Sequence, residues 1–245
     1  MQIGSWFIQG YTLRVLSGLL PGVIWVWGVG RRQGYTSRQL AILLWATLFG
    51  GVLGGRLGYV AQNAAYFAQN PGAFILLWRV GGLDGSGAWL GGLAAAMVYA
   101  WHTHTPARQV LELLAPLALL LSAGAWWGCG YTGCAWGREV SGAAASWQRW
   151  LIRELPDLYY TLAPRYAIQL LAAGWALGLA GILVLWRGHA LTIFALYLAG
   201  LSMLTLLRAD PMLSIGNLRL DTVVYGVLAL GGGLLEIAGS QKIRR

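Results

Sequence analysis

Apolar residues fill seven long stretches of the chain, approximately 13–29, 40–60, 88–101, 110–127, 167–186, 191–207 and 222–238, with short polar segments between them. Each approaches the length a helix needs to cross a hydrocarbon core of about 30 Å. The pattern predicts an all-α integral membrane protein of about seven transmembrane helices. The third stretch is short, and the glycines of 81–87 either extend it or lead into it irregularly. Between the stretches, Asn70-Pro71-Gly72 signals a turn, and the apolar 73–78 after it predicts a short helix on or dipping into the membrane interface. Residues 129–165 are the largest hydrophilic block. Within 143–155, Trp147, Trp150, Leu151 and Leu155 recur at helical spacing beside Arg149, Arg153 and Glu154, which predicts an interfacial amphipathic helix ended by Pro156. Pro164 then introduces the fifth span. No repeat or linker divides the chain, so residues 1–245 read as a single polytopic membrane domain with an outward-side segment at 129–165.

Composition agrees with a lipid-embedded protein. Of 245 residues 58% are hydrophobic and 10% charged, with 36 glycines and 14 tryptophans, a surface no ordinary water-soluble domain carries. Trp25, Trp27, Trp78, Trp101, Trp126, Trp127 and Trp186 fall near expected span ends, where indole rings favour the interface. Residues 1–11 lack the basic start of a secretory signal, so the first span is expected to be retained.

Charge sets the expected orientation. Arg31, Arg32, Arg38, Arg108, Arg187, Lys242, Arg244 and Arg245 lie in segments without acids on one side. On the other, Arg79, Arg138, Arg149, Arg153, Arg165, Arg208 and Arg219 are interleaved with Asp84, Glu139, Glu154, Asp157, Asp210 and Asp221. The positive-inside rule then puts the N-terminus outside and the C-terminus in the cytoplasm. The formal charge of +9 reads as a topology signal and an attraction to anionic lipid, with no nucleic acid implied.

The most informative polar residue is Arg56, within Gly54-Gly55-Arg56-Leu57-Gly58-Tyr59. An arginine at mid-span costs about 2.5–3.5 kcal/mol on an insertion scale, so it faces a polar cavity or an anionic partner, or else snorkels from near the helix end. Glycines at 51, 54, 55 and 58 leave room for another helix or a lipid headgroup. The loop Gly81-Gly82-Leu83-Asp84-Gly85-Ser86-Gly87 can expose phosphate-binding amides, with Asp84 and Ser86 as acceptor and hydroxyl. Arg138 and Arg165, with the acids around them, form a further polar cluster or an ordinary solvated loop. His102, His104 and His189 sit in expected cytoplasmic loops with too few neighbouring ligands for a metal. Cys129 and Cys134 fit either a disulfide or two buried thiols.

Together these segments resemble the bacterial prolipoprotein diacylglyceryl transferase family. The likeness rests on Gly54 to Val60, on Gly81-Gly82-Leu83 through Gly91-Gly92, on Gly128-Cys129 with Gly133-Cys134-Ala135-Trp136-Gly137-Arg138, and on Arg165-Tyr166-Ala167-Ile168-Gln169-Leu170. It implies a multi-pass enzyme of the bacterial plasma membrane that moves diacylglyceryl from phosphatidylglycerol to a lipobox cysteine of a preprolipoprotein and releases glycerol phosphate. No cofactor and no metal is implied. By resemblance Arg56, Tyr59, Arg165 and Gln169 bind substrate, and Ser86, Asp84 and Arg138 stand in the catalytic positions. The chain departs from the family pattern in four places. Ser86 replaces a histidine or tyrosine, Trp126 an arginine and Ala172 a glutamate, while 200–207 lacks the arginine and glutamate of active members. The other function class is therefore a non-catalytic relative that binds phospholipid or serves as a membrane-complex subunit. A small transporter is disfavoured, because the chain lacks intramembrane acids and broken-helix pairs.

Overall fold

The computed structural model describes residues 2–3, 6–7, 10–140, 148–157, 159–186 and 189–243. After the short hairpin β1 (Gln2–Ile3) and β2 (Trp6–Phe7), helices α1 (Gly10–Arg32) and α2 (Ser37–Gln62) cross the bundle. Short helices α3 (Ala64–Gln69) and α4 (Leu77–Val80) flank a 3-10 turn at Pro71–Phe74, and α5 (Gly85–His102) and α6 (Ala107–Thr132) follow. Strands β3 (Ile152–Pro156) and β4 (Leu162–Tyr166) pair antiparallel. Then come α7 (Ile168–Leu185), α8 (Ala190–Thr205), the hairpin β5 (Ser214–Ile215) and β6 (Leu218–Arg219), and α9 (Leu220–Ile243).

Helices α1, α2, α5, α6, α7, α8 and α9 thus occupy the seven apolar stretches. Five of them (α1, α2, α6, α7 and the Leu220–Ile237 part of α9) are long and apolar enough to cross a membrane; α8 is a shorter apolar helix. The expected interfacial helix over 143–155 is corrected. Gln148–Leu151 is one 3-10 turn and Ile152–Pro156 is a strand, while Trp147 lies outside the described residues. Long-range pairing outweighs the helical spacing: Ile152 to Pro156 register on Tyr166 to Leu162, and Ala167 N–H donates to the Leu151 carbonyl at 2.8 Å. Pro164 accordingly sits inside β4.

Close helix contact in lipid depends on small residues, because lipid tails supply no hydrophobic drive between apolar helices. In α2 and α5 those residues are glycines. A Cβ added at Gly54 would lie 2.7 Å from the Cα of Gly91, and one at Gly50 would lie 2.6 Å from the Cβ of Ala95. The backbones therefore touch, with Gly50, Gly54 and Gly58 of α2 facing Ala95, Gly91 and Asp84. Helix α6 carries much of the rest of the packing: α1 and α7 both lie against it, and α8 packs on α6, α7 and α9. Large apolar side chains such as Trp45, Phe49 and Leu185 point outward, as a lipid-facing surface requires.

Candidate functional site

The polar residues singled out in the sequence gather at one end of the bundle, where α2 and α6 finish and α5, α7 and α9 begin. Arg56 is 2% exposed. Its Nε donates to the Phe74 carbonyl at 2.9 Å, Nη2 to Ala73 at 2.6 Å, and Nη1 to Gly82 at 3.1 Å and also to Gly81. The rings of Phe67 and Tyr59 lie 5.1 and 5.7 Å from its guanidinium carbon. Gly81 and Gly82 hold φ of +63° and +82°, a conformation suited to glycine that leaves their carbonyls outside any helix ladder. Irregular backbone at membrane depth must be satisfied by protein, and one guanidinium satisfies four carbonyls of this loop.

The same loop delivers Asp84. Its N–H donates to the Gly55 carbonyl at 2.8 Å. As N-cap of α5 its Oδ2 accepts from Gly87 N–H and from the Ser86 hydroxyl, both at 2.5 Å. Oδ1 takes part in no hydrogen bond among the described residues. A Cβ at Gly58 would sit 2.8 Å from that Oδ2, so only glycine lets the carboxylate reach this position. The Tyr225 hydroxyl of α9 would lie 3.0 Å from a Cβ at Gly85, which closes the corner.

A second grouping lies around the end of α6. Cys129 and Cys134 are joined in a disulfide, which resolves the two readings of that pair. Gln169, 2% exposed, donates from Nε2 to the Cys134 carbonyl at 2.8 Å, and its Oε1 is buried without a hydrogen-bond partner. Arg165 pairs with Asp157 at 3.2 Å and Glu139 at 3.8 Å, so its charge is spent on the β3–β4 hairpin. Arg138 has an exposed side chain; its backbone N–H donates to Leu207 and its carbonyl accepts from Tyr166. Arg56, Tyr59, Asp84 and Ser86 therefore form one corner, and Arg138, Arg165 and Gln169 another.

Between them lies a buried ion cluster that the sequence reading did not single out. Arg208 contacts Asp221 at 2.7 Å and Asp210 at 2.6 Å, and Arg219 contacts the same acids at 3.1 and 3.4 Å. The Trp126 ring lies 5.8 Å from the Arg208 guanidinium carbon. Asp221 sits in the first turn of α9, where a negative charge also meets the positive end of the helix dipole. The available signal was the repeat Arg208-x-Asp210 and Arg219-x-Asp221 on either side of the β5–β6 hairpin.

Membrane-crossing helices that enclose carboxylates and arginines at one end, joined there by glycine-rich irregular backbone, define a polytopic membrane protein with its chemistry near one membrane face. The chain belongs to the prolipoprotein diacylglyceryl transferase family, whose model matches residues 1–237. It is 29% identical to phosphatidylglycerol–prolipoprotein diacylglyceryl transferases of Trichormus variabilis and of Nostoc sp., over 98% of this chain and 86% of each relative. It is a multi-pass protein of the bacterial plasma membrane.

Proposed function

We propose that the protein transfers a diacylglyceryl group from phosphatidylglycerol to the thiol of a lipobox cysteine in a preprolipoprotein, at the corner formed by Asp84, Ser86 and Tyr225. The observation that carries this reading is the pairing of the Asp84 carboxylate with the Ser86 hydroxyl at 2.5 Å, which leaves Oδ1 open to a substrate proton. In the reaction the thiol proton passes to Asp84 and sulfur attacks a glycerol carbon of the lipid. The bond from that carbon to the phosphate oxygen breaks, and glycerol phosphate leaves with the electron pair. Ser86 positions the carboxylate, the amides at the start of α5 attract the phosphate, and Arg138 supplies positive charge to the leaving group. Tyr59 flanks the lipid glycerol on the Asp84 side, Gln169 lies toward the second corner, where its amide is held by the Cys134 carbonyl, and Arg56 acts as a positioning residue through the carbonyls it holds. Arg165 steadies the hairpin beside them.

One observation favours a second reading, a non-catalytic phospholipid-binding subunit of a membrane complex. Arg165, Arg208 and Arg219 are paired with the chain's own acids and Arg56 with its own carbonyls, so that of the arginines at the two corners and the cluster between them Arg138 is the one left to meet a phosphate. The experiment combines purified protein, phosphatidylglycerol vesicles and a lipobox peptide, and reads the peptide mass. A diacylglyceryl adduct that falls at least about a hundredfold in Asp84→Asn supports transfer. No adduct from the wild type at pH 7 to 9, with phosphatidylglycerol retained, supports the second reading.

A further inference from the structure

Away from this polar end, α1 and α7 lie on either side of α6 and leave a groove between them. Two contiguous cavities, of about 420 and 210 Å³, share Leu120 and Leu177 as lining residues. From Leu170 to Val184 on α7 the groove runs roughly 21 Å at 1.5 Å per residue. That compares with about 15 Å for half of a hydrocarbon core. Apart from Ser17 the walls are apolar, and Gly124, Gly174 and Gly181 are among the lining residues. A Cβ at Gly174 or Gly181 would meet no atom of the chain within 4 Å, so protein packing does not require glycine there.

The mouth carries a charge. Trp127 lines the groove, and its ring supports Arg14, whose guanidinium carbon is 5.2 Å from it and 4.1 Å from the Tyr131 ring. Arg14 Nη1 donates to the Gly10 carbonyl at 2.9 Å, whereas Nε is buried without a hydrogen-bond partner. No carboxylate among the described residues pairs with Arg14. A guanidinium without a carboxylate partner, at one end of an apolar slot somewhat longer than a leaflet's hydrocarbon depth, matches one occupant, a lipid with an anionic phosphate and a long acyl chain.

We infer that the α1–α7 groove holds one acyl chain of an anionic phospholipid whose phosphate is bound by Arg14. This site lies outside the corner of Asp84 and Ser86 and stands whether or not that corner is catalytic. The test is native mass spectrometry of the full chain released from vesicles of equal phosphatidylglycerol and phosphatidylcholine, with thermal unfolding as the check on folding. The wild type keeps phosphatidylglycerol, at least one molecule of which survives Asp84→Asn and is assigned to the groove. Filling the groove with Gly174→Leu and Gly181→Leu lowers its occupancy at least about fivefold without lowering the unfolding midpoint. Arg14→Gln keeps a lipid but loses the preference for phosphatidylglycerol. Unchanged occupancy in the folded double variant overturns the inference. So does a wild-type dimer that the double variant converts to monomer, which would assign the groove to a second copy of the chain. Occupancy that falls in Asp84→Asn but not in the groove variant also overturns it and places the lipid at the other corner.

Discussion

Arg56 follows Val52, Phe49 and Trp45 by 4, 7 and 11 residues, and those three side chains are exposed. Helical periodicity therefore puts the guanidinium on the lipid-facing stripe of α2. It is buried because the segment from Ala73 to Gly82 folds over it and offers four carbonyls. In Arg56→Ala those carbonyls lose their donor at roughly 1–3 kcal/mol each where they stay dry. The expected outcome is a lower unfolding midpoint with new protease cleavage within 70–82, and Arg56→Lys recovers only part of the loss because a single nitrogen cannot span the four acceptors. A wild-type digestion pattern in the alanine variant would show that the loop holds itself. Asp221 is the second such residue. Asp221→Asn leaves Arg208 and Arg219 sharing one carboxylate, and breaking a buried pair costs about 3–5 kcal/mol. Thermal unfolding in detergent measures that loss, which added salt does little to mask because the cluster is buried.

At the scale of elements, the contact between α2 and α5 is the joint on which the site depends, since Asp84 reaches its place only because Gly58 has no side chain. Gly54→Leu drives a side chain into the α5 backbone at Gly87 and Gly91. The expected result is a folding yield reduced severalfold, read by size-exclusion chromatography of the detergent-solubilised protein. Gly51→Ala, whose Cβ meets only the Ala88 carbonyl at 3.5 Å, leaves the yield unchanged. The glycine spacing was legible in the sequence as a close-approach surface, but it left open whether a helix or a headgroup filled it. The β3–β4 hairpin was not legible. Trp150, Leu151 and Leu155 fit a helical period, whereas the partner strand lies beyond Asp157, whose carboxylate accepts from Tyr159 and Thr161 N–H to form the turn.

For the whole molecule, the distribution of arginines predicts which end faces the cytoplasm. Both native cysteines are tied up in the disulfide, so single added cysteines report without background. Thr161→Cys, in the exposed hairpin, is labelled by a membrane-impermeant maleimide in intact cells, and Ser37→Cys, at the start of α2, only after permeabilisation. The reverse pattern would invert the topology and move the Asp84 corner to the cytoplasmic face. That corner was readable only in part. Arg56, Asp84 and Ser86 stood out as polar residues among apolar ones, but the cluster of Arg208, Asp210, Arg219 and Asp221 looked like an ordinary loop whose charges cancel.

The sequence by itself determined the membrane class, the seven apolar stretches, the family and the arginine within the second of those stretches, because each is written in local composition and spacing. Only the tertiary structure decided what each charge meets. Deciding partners lie as far apart in the chain as 13 residues for Arg208 and Asp221 and 35 for Gln169 and Cys134, and no local period encodes such a distance.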